Sequence, residues 1–426
     1  MLIQFRVENH RSLRDEQVLS LVAAHLGDSE DPRLLHPPEF GEALLPAVAL
    51  YGANASGKSN VLNGLAFMRE AVLRSHRYWE PEEGAPQEPF VLSSTAQEKP
   101  SLYEVDFLVD GVRFRYGFVL SATRIVEEWL HAWPHGRKQV WFEREGDHFD
   151  FGKHLHGENE TIRGLTRANS LFLSAAAQNN HAALLPLFGW FRAARLELRR
   201  SPLLGLKPSR AAFLGDLFSG QLALFEEDNT ARQHEREAIV HLLRSADLGI
   251  LDMKVARSHR SLPSRLGASN VEIHLRHRAE AQHEVWLPLE WESAGTITLL
   301  GIATRLVRLL RSGGLLCVDE LEASLHPALG LELLRLFQDP RHNPKGAQLL
   351  FTTHDTNLLG NVLGEPPLRR DQIWFTEKDQ SGATHLYPLT DFQPRKAENL
   401  ERGYLQGRYG AIPFLGQLVT PPEEEQ

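Results

Sequence analysis

The sequence predicts an α/β protein: buried parallel strands deliver ligand-binding loops to one edge of a mixed sheet, with an antiparallel β lobe and an inserted helical arm attached. Three observations predict it. The run Gly52–Ser59, GANASGKS, fits G-x-x-x-x-G-K-[ST] and lies between a short apolar strand and an apolar-periodic helix. Two later apolar runs, LLCV and AQLLF, end in Asp319-Glu320 and in Thr352-Thr353-His354, the polar endings expected at the C-terminal ends of parallel strands. Between the loop and these runs, alternating segments flank an Asp110-Gly111 turn, a strong hairpin signature.

Composition bounds the rest. At about 150 residues per domain, 426 residues imply two or three domains, and 42% hydrophobic residues suffice for sizeable cores. The balance of 46 basic and 55 acidic side chains gives a net charge of −9, which argues against an all-over nucleic-acid surface and leaves local basic patches open. Cys317 is the single cysteine, so neither an intrachain disulfide nor a cysteine metal cage is expected. The opening MLIQFRVENHRS carries charge early, and no apolar run approaches the roughly 18 residues of a membrane helix. A cytoplasmic protein without a membrane partner is expected.

The elements follow in order. Ile3, Phe5 and Val7 share one face of a first strand, and Glu16–Ala24 repeats the pattern more loosely. Residues 25–45, with Pro32, Pro37 and Pro38, read as a loop before the strand 46–52. Val61, Leu62, Leu65, Phe67, Met68 and Val72 then mark a helix, and the proline- and acid-rich segment 77–90 a surface excursion. Strands dominate 101–145, where Trp129, Trp133 and Trp141 read as core and rim. From about Thr161 the texture is helical, followed by the strand candidates ILDMKVA, NVEIHLRH and EVWLPLEW. Lys58 and Asp319 are 319 − 58 = 261 residues apart, so a module is inserted between them. The expected division is 1–178 as a first lobe, 179–268 as a helical arm without coiled-coil heptads, and 269–426 as a second lobe. Arg192, Arg195, Arg199, Arg200, Lys207 and Arg210 cluster in the arm, where they could meet phosphates or an acidic partner or simply form a solvated face.

The residue types at the loop ends point to nucleotide chemistry. In such a loop the backbone from Gly52 through Asn54 and Gly57 to Asn60 wraps phosphates, Lys58 neutralises them, and the Ser59 hydroxyl holds Mg²⁺. Asp319 would hold the Mg²⁺ through water and Glu320 would act as general base, although paired acids after an apolar strand also arise by chance. Ser293 and Gly295 open an apolar-periodic helix, which is either another anion-facing N-terminus or an ordinary cap. His354 is placed to reach a γ-phosphate. ATP and Mg²⁺ are the implied cofactors.

In these residues the chain resembles ABC-type ATPases, and more closely the RecF, SMC and OLD-like branch that works on DNA rather than in membranes. The resemblance makes Gly52–Ser59 the Walker A loop, Ser293–Gly295 the signature, Asp319-Glu320 the Walker B pair, residues 323–326 the D-loop and His354 the switch histidine. The two ends, FRVENHRSLRDEQVLSLVAA and ENLERGYLQGRYGAIPFL, are similar to a bacterial family of AAA-labelled, ABC-like ATPases of phage-defence operons. That likeness places a Q-loop in NSLFLSAAAQNN and makes Gln178 the metal and water sensor, though a helix turn explains the string equally well. The signature departs from Leu-Ser-Gly-Gly, reading Glu292-Ser293-Ala294-Gly295-Thr296, which implies slow turnover.

The resemblance further implies a homodimer or larger oligomer in which Ser293 and Gly295 close over the partner's ATP. About sixty residues follow the His354 strand and its helix, with no D-x-D pair, so the Toprim nuclease of OLD-like proteins is not expected within this chain. The implied role is a sensor or regulator that controls a separate effector nuclease encoded nearby, with a phage protein as trigger and DNA contact secondary. The alternative is a RecF-like repair ATPase acting directly on DNA.

Overall fold

The computed structural model of the chain describes residues 1–27, 31–197, 230–245, 249–257, 271–278, 285–324, 326–360, 366–395 and 398–413. An antiparallel sheet of seven strands comes first: β1 (Leu2–Glu8), β2 (Gln17–Ser20), β4 (Ser101–Val109), β5 (Val112–Leu120), β6 (Ile125–Trp133), β7 (Gln139–Glu145) and β8 (His148–Phe151), in the order β2-β1-β4-β5-β6-β7-β8. As their alternation requires, Ile3, Phe5 and Val7 are buried, while Gln4 and Arg6 are not. Asp110 and Gly111 both take positive φ, 48° and 79°, as a tight two-residue hairpin turn demands.

The second sheet runs β16-β15-β3-β14-β13-β9. Its members are β3 (Ala47–Gly52), β9 (Arg195–Glu197), β13 (Leu315–Val318), β14 (Gln348–Thr352), β15 (Ile373–Lys378) and β16 (Thr384–Pro388). All pairs are parallel except the β15–β16 hairpin. Strands β3, β13 and β14 are buried along their whole length, which is why they read as unbroken apolar runs. Successive side chains serve two cores: Val48, Leu50, Leu315, Cys317 and Leu350 face one, and Ala49, Tyr51, Leu316, Val318 and Phe351 the other. A third sheet of three strands, β10 (Ile250–Arg257), β11 (Val271–His277) and β12 (Val285–Pro288), stands beside the second core.

Nine α-helices are described: α1 (Lys58–Tyr78), α2 (Ser94–Glu98), α3 (Asn159–Leu165), α4 (Phe172–Gln178), α5 (Leu185–Ala193), α6 (Thr230–Ser245), α7 (Ala294–Ser312), α8 (Pro327–Gln338) and α9 (Leu400–Leu405). Helix α1 lies in the first core between the two large sheets, and Gly64 lets it approach closely: an added Cβ would meet Val7 at 3.3 Å. Helices α7 and α8 cover the opposite face of the second sheet.

The expected arm beginning at residue 179 is corrected at its start. Leu187 and Phe191 of α5 are buried in the first core, Arg69 of α1 holds the Phe191 and Ala194 carbonyls at 3.0 Å, and β9 pairs with β13. The apolar stripe of residues 185–197 therefore belongs to the core, completed by α1, while the Arg192 and Arg195 side chains are exposed. Arg199, Arg200, Lys207 and Arg210 lie outside the described residues. The core sheet also crosses the expected lobe boundaries, since β3 sits between β14 and β15. Trp129, Trp133 and Trp141 are all half-buried, with the Trp129 Nε1 donating to Glu104 at 2.9 Å.

Candidate functional site

The order β3-β14-β13 brings three loops to one edge of the second sheet. The loop after β3 closes with Gly57 at φ 108°, and α1 starts at Lys58, so the first amides of a 21-residue helix face the loop. Gly57 cannot carry a side chain: an added Cβ would collide with Thr384. A cleft of about 150 Å³ follows the loop, lined by Asn54, Ala55, Ser56, Gly57, Lys58, Ser59, Asn60, Glu320 and His354. The structure thus unites residues from three strands, separated by up to 300 positions.

Each side chain has a defined setting. The Lys58 Nζ donates to the carbonyls of Gly52 and Ala53 at 2.7 and 2.9 Å, curled over the loop. Burial lowers its pKa to about 8, against the opposing pull of Asp319 and Glu320. The Ser59 Oγ donates to Asp319 Oδ1 at 2.8 Å, linking the loop to the end of β13. That same oxygen accepts the Thr352 hydroxyl at 2.8 Å, while the Glu320 amide donates to Thr352 Oγ1 at 2.7 Å. Glu320 takes φ 54°, a left-handed backbone that costs a non-glycine residue roughly 1–2 kcal/mol. His354 stands at the exposed rim, with its pKa lowered by partial desolvation and then by the Lys58 cation. Its ring is therefore neutral near pH 7.

Several contributors escaped the sequence reading. Thr376 Oγ1 pairs with Ser56 Oγ at 2.6 Å, Thr384 Oγ1 donates to the Ser56 carbonyl at 2.8 Å, and Ser12 Oγ meets Thr384 Oγ1 at 2.7 Å. Asn60 lines the cleft, but its amide is spent on Ser12 Oγ at 2.7 Å. Both chain ends thus clamp the phosphate loop. Glu322, two residues beyond Glu320, accepts the His354 backbone N–H at 2.6 Å.

Two expected members stand elsewhere. Ser293 is exposed and caps α7, its Oγ accepting the Thr296 N–H at 3.1 Å; Gly295 lies in the first turn, and neither lines the cleft. The preceding Glu292 accepts from His277 Nε2 at 2.6 Å. Gln178 requires a correction. The start of α4 is bound to the far end of α1, where the amides of Leu171 and His76 donate to Ser75 Oγ and Ser174 Oγ at 3.1 and 3.2 Å. Sixteen residues of α1, roughly 24 Å of helix rise, separate Ser75 from Ser59. Gln178 is one turn beyond Ser174, exposed and outside the cleft lining, so the structure does not bring it together with Ser59 and Asp319.

The oxygens of Ser59 and Asp319 are the hard donors that Mg²⁺ prefers, and their contact marks where a cation accompanying phosphates would fit. Among the described residues, no group of three or more His, Cys, Asp or Glu side chains could hold a metal alone, and no helix is long and apolar enough to cross a membrane.

Phosphate loop, acid-tipped neighbouring strand and parallel sheet define an ATP-binding P-loop ATPase domain of the α/β class. A family model described as "AAA domain, putative AbiEii toxin, Type IV TA system" matches residues 47–360, well over half of the chain, and the chain belongs to that family. No curated protein matches the sequence. Among solved structures, the chain is similar to an SMC head bound to the C-terminal winged-helix domain of ScpA: 13% identity, TM-score 0.42, with 92% of this chain and 99% of that one covered. It is likewise similar to the SMC head domain of Thermotoga maritima, at 11% identity and TM-score 0.38 over 91% and 98% of the two chains. A Pyrococcus furiosus SMC head with an extended coiled coil, bound to the C-terminal domain of ScpA, gives 10%, 0.42, 92% and 97%.

Proposed function

We propose that the chain is an ABC-type ATPase that hydrolyses ATP slowly and uses the nucleotide as a dimerisation switch, regulating a separate effector nuclease in anti-phage defence. The observation that carries the catalytic part is the convergence of Lys58, Ser59, Glu320 and His354 on one cleft, with Asp319 tied to Ser59. The family description, a putative toxin of a type IV toxin–antitoxin system, supports the defence setting.

In this reading the loop amides and Lys58 hold the β- and γ-phosphates. Ser59 and Asp319 hold Mg²⁺, which when bound offsets charge on the phosphate oxygens. Glu320 takes the proton of a water whose oxygen attacks the γ-phosphorus, as the bond to the β-phosphate oxygen breaks and ADP leaves. The neutral His354 ring donates a hydrogen bond to a γ-phosphate oxygen. Ser293, exposed, and Gly295, half-buried in the first turn of α7, lie outside their own cleft and act on the ATP of a second copy.

Light scattering with and without ATP tests the switch. Glu320→Gln is expected to form a stable dimer with ATP, Lys58→Ala to lose ATP binding and stay monomeric, and Ser293→Arg to bind ATP without dimerising. A Glu320→Gln protein that binds ATP and remains monomeric would sink the switch.

A further inference from the structure

Two contacts cross between the loops after β13 and β14 in opposite directions. From β14, the buried Thr352 hydroxyl donates to Asp319 Oδ1 at 2.8 Å and accepts the Glu320 N–H at 2.7 Å. From the turn after β13, Glu322 Oε1 accepts the His354 N–H at 2.6 Å. Neither contact touches the space left for nucleotide, because Thr352 and Glu322 do not line the cleft. Both act on backbone amides of residues that do.

We propose that Thr352 and Glu322 form a reciprocal brace that fixes Glu320 and His354 as one unit, making them positioning residues for the hydrolytic step. Glu320 needs such support because its left-handed backbone, φ 54°, is disfavoured for a residue with a Cβ and would relax toward a right-handed conformation once its amide were released. Relaxation would swing the carboxylate away from the cleft edge. The Thr352 hydroxyl is suited to the task because it serves as donor and acceptor at once, tying the aspartate side chain and the next amide to one atom. Glu322 closes the second strut, so that displacement of either loop strains the other. The assignment of Glu320 and His354 to catalysis rests on the reading above; the mechanical coupling does not.

Hydrogen exchange of the full chain without nucleotide tests the coupling, and steady-state kinetics test its use. Glu322→Ala, a change at a half-exposed turn, should speed exchange about tenfold at the Glu320 amide as well as at the His354 amide, the size expected for loss of one hydrogen bond. Thr352→Val should do the same in the other direction, reaching the His354 amide. In ATP hydrolysis, Thr352→Val should lower kcat about tenfold or more with KM within about threefold, whereas Thr352→Ser and Glu322→Gln, which retain the acceptor oxygen, should recover most of the rate. Faster exchange confined to the amide whose own acceptor was removed would overturn the brace. Equal kcat for Thr352→Val and Thr352→Ser would overturn its catalytic use. A wild-type chain that hydrolyses no ATP would instead defeat the proposed function, with the exchange result still deciding the brace.

Discussion

Lys58 must be charged to hold phosphate, yet burial pulls its ammonium down to about 8 in the ligand-free loop. A bound polyphosphate raises that pKa again, so below pH 8 the charged lysine meets ATP directly, whereas above it binding must take up a proton. Affinity for a non-hydrolysable ATP analogue is therefore expected to be flat near pH 7 and to fall as pH rises through 8, at most about tenfold per unit. Calorimetry at pH 8.5 in buffers of different ionisation enthalpy would register the proton as a buffer-dependent heat; identical observed heats in all the buffers would contradict it. The residues that meet at the cleft were legible in the sequence because each sits at the end of an apolar run or at a fixed spacing inside one loop. Glu322, Ser12, Thr376 and Thr384 were not, and Thr352 was legible only as a polar strand ending, because their partners are distant in sequence, up to 372 positions for Ser12 and Thr384, and a lone polar side chain has no pattern of its own.

Helix α4 shows how an element can carry a motif-like string for a structural reason. Its Ala-rich turn packs in the first core, and its first amides, Phe172 and Leu173, donate to the buried Glu128 carboxylate at 2.7 and 3.1 Å. Glu128 also accepts from Tyr116 and faces Arg144, both buried, so the helix start is satisfied by one carboxylate. Glu128→Ala leaves the buried Arg144 charge without its carboxylate and the Phe172 and Leu173 amides without their acceptor, and should cost roughly 3–5 kcal/mol in denaturant unfolding, without changing ATP affinity of the folded protein. The small-residue string fits this packed setting, and only the tertiary arrangement reveals which end of α1 it meets. At the phosphate loop the logic reverses: Gly57→Ala should abolish ATP binding while lowering stability modestly, since the collision with Thr384 and the φ of 108° distort the loop rather than a core. Equal ATP affinity for Gly57→Ala and wild type would show that the loop accepts another conformation.

At the scale of the whole molecule, strands distant in sequence meet in one sheet, β3 between β14 and β15, and both chain ends clamp the phosphate loop. The antiparallel lobe was legible from its alternation and its Asp-Gly turn. The lobe boundaries were not, because the chain joins the core sheet at β9, a three-residue strand too short to register as a pattern, more than a hundred positions before its partner β13. If nucleotide state governs an effector, affinity capture of the tagged chain from its host should recover a nuclease in near-equal amount, and recovery should change between wild type and Glu320→Gln. Recovery of DNA and repair factors instead would favour direct action on DNA. The most direct test of the central claim is phosphate release from Mg-ATP by wild type and Glu320→Gln, with ATP binding measured on the same preparations. The account predicts similar binding and hydrolysis at least about a hundredfold slower in Glu320→Gln; hydrolysis at the wild-type rate would contradict it.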